Sequence, residues 1–345
     1  MKVQIPEELK ADLPQSTWGK ILTATPVVMA VVSTMLAGLA SSEMTSAQYD
    51  RALAAQQQSK AGDQWSFFQA KRLRGAYQRN TYEILQNIGG ARPFSAANFQ
   101  EQLPASLGQK DSAQLPPEAA RTKMELLELL ASPAGKQGLA LLEKGVPPDV
   151  APAHPPKPEV QAALEAVASS KAEAEIAPAI AQLSDSNLEE ALRDAKDQAQ
   201  AFDAATKPFN NVMEKAEDLL ARLMGSLQAS NSTPELARAA GAIAGLSRDF
   251  TAASLRYAAQ RYEVEARLNQ AIADYYELQV RRSNIAAERH HKRSQRFFVG
   301  MLGAQLGVII GTIAIAARQR NLLWGLAAAA GLLAIAFAVY VYLCV

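Results

Sequence analysis

The sequence predicts an all-α membrane protein with three transmembrane helices, a long helical stalk and a small helical, proline-rich head. Phe297 to Ala317 and Leu322 to Val345 carry no charge and are separated only by Arg318-Gln319-Arg320-Asn321. Each is long enough to cross a hydrocarbon core of about 30 Å, and so short a link returns them as an antiparallel hairpin. Ile21 to Ala40, between Lys20 and Glu43, is a third uncharged stretch. Hydrophobic residues make up 49% of the chain, but many are alanine, a helix former that buries little area, and strand signatures are scarce outside the spans.

From the N-terminus, residues 1–20 form a tail whose acids Glu7, Glu8 and Asp12 do not suit a signal peptide, so residues 21–40 are read as a retained first span. After Pro26 no proline occurs until Pro93, so the helix continues through residues 41–88 as one arm of a stalk, stopped by Gly89-Gly90-Ala91-Arg92-Pro93. Eleven of the 17 prolines fall between Pro93 and Pro158, which makes residues 89–158 a linker zone carrying short helices such as Glu118 to Ala131. Residues 159–231 complete the head with three helical patterns: Glu159 to Leu183 with Pro178 inside, Asn187 to Ala205 behind a capping box at Ser186-Asn187-Leu188-Glu189, and Pro208 to Leu227. Ser232-Thr233-Pro234-Glu235 then starts the longest helix, which is free of proline to Ala317. Residues 232–296 are its second stalk arm and residues 297–317 its span.

Leu236, Ile243, Phe250, Tyr257, Val264, Ala271, Leu278 and Ile285 recur every seventh residue along that arm, the period of a helix packed along another. Gln260, Arg267 and Asp274 interrupt the companion row, so a coiled coil and one face of an ordinary bundle are both open readings. The partner face expected on the first arm is the set of large residues Trp65, Phe68, Leu73, Tyr77, Ile84 and Ile88, with Trp65 level with Ile272. Trp65, Phe68, Tyr257, Val264 and Tyr275 are the candidate stalk-packing residues.

Two constellations concern the membrane. Gly303, Gly307 and Gly311 stand at i, i+4 and i+8, which lets another backbone approach closely and suggests self-association through this face. Arg281 and Arg282, followed by Arg289, His290, Lys292, Arg293 and Arg296, form a basic collar before the second span. The last five are candidate contacts for lipid head groups, and the collar places the central domain in the cytoplasm. His290 and His291 point about 100° apart on a helix and do not suggest a metal site.

The segment Asp63-Gln64-Trp65-Ser66-Phe67-Phe68-Gln69-Ala70-Lys71, following a membrane span, resembles the bacterial membrane-protein family catalogued as domain of unknown function 4337. Glu288-Arg289-His290-His291, then Phe297-Phe298, Gln305 within a span and Leu322-Leu323-Trp324 after a basic link, are similar to it as well. The resemblance covers roughly residues 18–88 and 250–345, with residues 89–232 resembling an insertion. It implies an architecture in a bacterial inner membrane and supplies no catalytic residue.

Lys plus Arg number 35 against 34 Asp plus Glu, a balance that gives no field for nucleic acid. The sole cysteine, Cys344, excludes an internal disulfide and a cysteine-rich metal centre. There is no phosphate loop, nucleophile elbow, zinc-protease helix or dinucleotide fingerprint. The expectation is therefore a non-enzymatic, homo-oligomeric membrane scaffold without cofactor or metal, in contact with lipids and with room for a further protein partner. The alternative is a subunit of an ion-conducting or energy-transducing complex, for which the first two spans offer hydroxyls and Gln305 but no Asp, Glu, Lys or His.

Overall fold

A computed structural model of the chain describes residues 17–106, 115–150, 154–169, 172–229, 233–316 and 320–344. The tail to Ser16, residues 107–114 of the linker zone, Ser232, and Ala317, Arg318 and Gln319 lie outside them. The regular elements described are all helices: α1 (Thr17–Asn87), α2 (Ala96–Ser106), α3 (Pro117–Ala131), α4 (Pro133–Lys144), α5 (Pro158–Ala168), α6 (Glu173–Ala181), α7 (Asp185–Ala229), α8 (Pro234–Ala316) and α9 (Arg320–Cys344). α1, α8 and α9 are long and apolar enough to cross a membrane. The chain divides into two compact units, one of Met1–Gln57 with Gln279–Val345 and one of Gln58–Leu278, and α1 and α8 contribute to both.

In the first unit α1, α8 and α9 form a three-helix cluster. Leu36, Ala40, Phe297, Ala304, Ala334 and Val341 make its core. The buried faces are built largely of small residues, which let helices approach closely where lipid removes the hydrophobic drive. Trp324 Nε1 donates to Thr25 Oγ1 at 2.8 Å, tying α9 to α1, and Ser294 Oγ donates to the Ala40 carbonyl at 2.7 Å, tying α8 to α1.

The second unit is built on a different chemistry. α2, α3 and α4 pack large aliphatic side chains against α7 and the first half of α8, with Leu103, Leu126, Leu139, Leu220, Leu223 and Ile243 essentially inaccessible to solvent. Phe94, Phe99 and Phe250 cluster with ring centroids 5.3–5.9 Å apart, so the arm's seventh-residue stripe ends inside this core. Of that stripe Leu236, Ile243, Phe250, Tyr257 and Leu278 are buried, while Gln260 and Arg267 face out. It serves as one face of a bundle.

Backbone stops follow the expected chemistry. α1 ends just before Gly90 at φ 65°, and the Arg92 N–H that follows donates to Asp249 Oδ1 of α8 at 2.8 Å. α4 ends on Gly145 at φ 69°, whose N–H bonds the Leu141 carbonyl at 2.8 Å. Both positions need the left-handed conformation that glycine adopts freely. Thr233 Oγ1 accepts from the Leu236 N–H at 3.3 Å and caps α8.

Three expectations need correction. The segment Glu159 to Leu183 holds two helices, α5 ending at Ala168 and α6 beginning at Glu173, with Pro178 accommodated inside α6. The two helices placed on either side of Pro208 are the single helix α7, which begins at Asp185, so Ser186 is inside it and no cap. Pro208 lacks the N–H its turn requires, and the buried Thr206 hydroxyl, donating to the Phe202 carbonyl at 2.9 Å, occupies one acceptor of that stretch. The third correction concerns the face α1 packs with. Leu73, Tyr77, Ile84 and Ile88 point to solvent, and the buried face at this level is Ala61 and Gly75.

Candidate functional site

The long helices meet along rows of small residues. On α1, Ala40, Ala47, Ala54 and Ala61 are buried at every seventh position, and the same row continues through half-buried Phe68 to buried Gly75. On α8, Ala252, Ala259, Ala266 and Ala273 are buried at the same interval, continued by Val280, Ala287 and Ser294. A Cβ added at Gly75 would sit 3.3 Å from the Tyr262 Cβ and 3.4 Å from the Ala259 carbonyl oxygen, so the backbones nearly touch there. Lys71 Nζ reaches Glu265 Oε2 at 2.5 Å and Arg79 Nη2 reaches Glu263 Oε2 at 2.8 Å across the seam. With Lys60 Nζ 6.0 Å from the Tyr276 ring, these antiparallel pairs bring Trp65 level with Ile272. The seam was legible as alanines seven apart, a signal outranked by larger residues.

The candidate stalk residues divide accordingly. Trp65 and Phe68 stand edge to face with centroids 5.4 Å apart, both half-buried. Tyr257 and Tyr275 are buried and Val264 is half-buried. α7, assigned to the head, lies antiparallel to α8 beside these residues: Lys196 Nζ sits 4.9 Å from the centre of the Tyr276 ring and donates to its hydroxyl at 2.7 Å.

The glycine row packs helices at two of its three positions, and the partners there lie within the chain rather than in a second copy. A Cβ at Gly307 would lie 3.4 Å from the Ala327 carbonyl oxygen and 3.6 Å from Met29 Sδ, and one at Gly311 would lie 3.3 Å from Pro26 Cγ. Both glycines pack the second span against the first and third spans of the same chain. Only Gly303 meets nothing within 4 Å, so this row presents no continuous face to another molecule.

The collar is corrected at His290. Its Nδ1 lies 2.6 Å from Glu43 Oε2, and Nε2 lies 3.8 Å from Asp50 Oδ2, so both ring nitrogens are turned to carboxylates of α1. Lys292 pairs with Glu288 at 3.4 Å one turn earlier. Arg289 and Lys292 are exposed, and Arg293 and Arg296 are half-buried.

A polar cleft of about 250 Å³ lies in the second unit, lined by Gln78, Asn210, Glu214, Glu217, Tyr257 and Arg261 among others. Burial raises the Glu217 carboxyl above its ordinary range, opposed by a hydrogen bond from Ser254 and reinforced by Glu214. Burial likewise raises the Tyr257 phenol. Nearer the other end of the unit, burial and then the charge of Glu277 push Asp274 up to about 6. Three or more His, Cys, Asp or Glu side chains do not come together as a metal site among the described residues.

Comparison with curated proteins found no match, and comparison with solved structures found none. The family match runs beyond residue 88, through α2 and into α3, so the start of the stretch read as an insertion belongs to the matched region; the resembling residues 250–345 lie outside it. Residues 18–128 match the family described as Domain of unknown function (DUF4337), and the resemblance read in the N-terminal region is to that family.

Proposed function

We propose that this chain is a non-enzymatic, homo-oligomeric membrane scaffold that anchors a rigid helical domain at the inner membrane of a bacterium, with that domain in the cytoplasm. The observation that carries the reading is the division of labour among side chains. Small residues hold the spans and the long helices together within the chain, while Leu73 and Tyr77 on α1 and Ile88 just after it stay 68–83% exposed. Large apolar groups kept in water over several turns are the mark of a surface meant for another protein. The exposed Arg289 and Lys292 support an anionic leaflet beside the second span, each basic group near such a surface being worth about 1 kcal/mol.

The energy-transducing alternative asks the span hydroxyls to line a polar path. Thr25 donates to the Ile21 carbonyl at 2.8 Å, Thr34 to Ala30 at 2.9 Å and Thr312 to Val308 at 2.8 Å, each one turn back along its own helix. Hydroxyls bonded this way serve their own backbone, which weighs for the scaffold. Two differently tagged copies co-expressed at native level should co-purify from solubilised membranes, and the protein in liposomes should leave a proton gradient intact. Failure to co-purify, or dissipation of the gradient, would overturn the reading.

A further inference from the structure

At about 100° per residue, Leu73, Tyr77, Asn80 and Ile84 of α1, with Ile88 in the turn that follows it, fall within an arc roughly 80° wide. All five are exposed, and of the four apolar side chains Ile84 is the least so at 50%. The arc lies roughly opposite the row of Ala61, Phe68 and Gly75 that α1 turns towards α8, so intrachain packing leaves it open. The steps along it are four, three, four and four residues, and the arc is narrower than the apolar face by which a helix joins a globular core. Narrowness and spacing together fit a single partner helix.

We propose that this stripe is the self-association surface of the protein, where α1 of a second copy packs parallel and in register. The inference rests on the reading of the chain as a homo-oligomer and names the interface. The identity of the occupant follows from Asn80. Its amide sits in the middle of the apolar row, where an apolar partner would leave it unsatisfied, and a parallel copy brings a second Asn80 amide to the same level. Copies anchored in one membrane through the same span present α1 in the same direction. The flanks permit that register: Gln69 and Ala76 beside one edge would face Arg74 and Thr81 of the other copy, so like charges do not oppose each other there. In antiparallel pairing the chains would have to be anchored from opposite sides.

The test uses the full chain with Cys344→Ser. Leu73→Cys should form a disulfide-linked dimer on mild oxidation in native membranes, and Gly303→Cys should not. Leu73→Asp with Ile84→Asp should reduce the mass in detergent, measured by light scattering, to that of one chain while the thermal unfolding profile stays that of a folded helical protein. Gly303→Leu should leave the mass unchanged. Asn80→Ile should retain self-association and tighten it at least tenfold or change the number of copies. A multi-chain mass in the double aspartate variant, or crosslinking at Gly303→Cys without any at Leu73→Cys, would overturn the proposal while leaving the scaffold reading intact. A wild-type protein with the mass of one chain would overturn both.

Discussion

Glycine substitutions on α1 separate the packed face from the open one with identical chemistry at both positions. Gly62 and Gly75 lie on the same helix. A Cβ at Gly62 meets nothing within 4 Å, whereas one at Gly75 comes within 3.3 Å of the Tyr262 Cβ and 3.4 Å of a backbone oxygen. Replacing a mid-helix glycine by alanine gains about 1 kcal/mol from helix propensity. Gly62→Ala should realise all of it. Gly75→Ala should lose most of it to the tight contact and finish near zero. Leucine widens the gap: Gly62→Leu keeps roughly 0.8 kcal/mol of stabilisation, while Gly75→Leu adds overpacking of about 1–3 kcal/mol against atoms that cannot move aside. At about 2 °C per kcal/mol for a chain of this size, the two leucine variants should differ by roughly 2–6 °C in thermal melting followed by circular dichroism. If they melt together, or Gly75→Leu is the more stable, the small-residue seam is not what joins α1 to α8.

Other consequences are testable in the same preparation. Asp274→Asn should stabilise the protein at pH 7.5 by about 1 kcal/mol, after discounting for its partial exposure, and change little at pH 4. The raised carboxyl contributes stability that is complete below its unfolded value near 3.8 and lost as the pH rises through about 6, so a benefit confined to acid would reverse the assignment. Gly307→Leu should lower the melting temperature by several degrees and Gly303→Leu should not, because only the former meets the other spans. Thr25→Val removes the hydrogen bond between the Trp324 indole N–H and Thr25 Oγ1 and should cost about 1 kcal/mol, read as a lower melting temperature; a neutral effect would dissociate that bond from the packing of α9 on α1.

The membrane helices were legible because eighteen or more uncharged residues have few other uses, and the end of α1 because glycine marks a left-handed turn. The stripe from Leu236 to Leu278 was visible as a period, although its partners were not: Phe250 meets Phe94 and Phe99 from a region read mainly as linker. Pro208 misled because a proline inside a helix costs about 3 kcal/mol, and the burial of Met213, Leu220 and Leu223 along α7 outweighs that penalty. The face of α1 was misread for a more general reason. Size identifies residues able to bury area, but close approach of two backbones selects the smallest residues, so Ala47, Ala54 and Ala61 were passed over for Tyr77 and Ile88. Gly307 and Gly311 announced close packing without saying that the partners were Pro26, Met29 and Ala327 of their own chain, since a row of glycines records distance and no identity.

Native mass spectrometry of the protein released from lipid nanodiscs addresses self-association in a bilayer without detergent exchange. The account predicts a mass that is a whole-number multiple of the chain, two or more, falling to one chain when Leu73 and Ile84 are replaced by aspartate. A single-chain mass for the unaltered protein across the concentration range would contradict it.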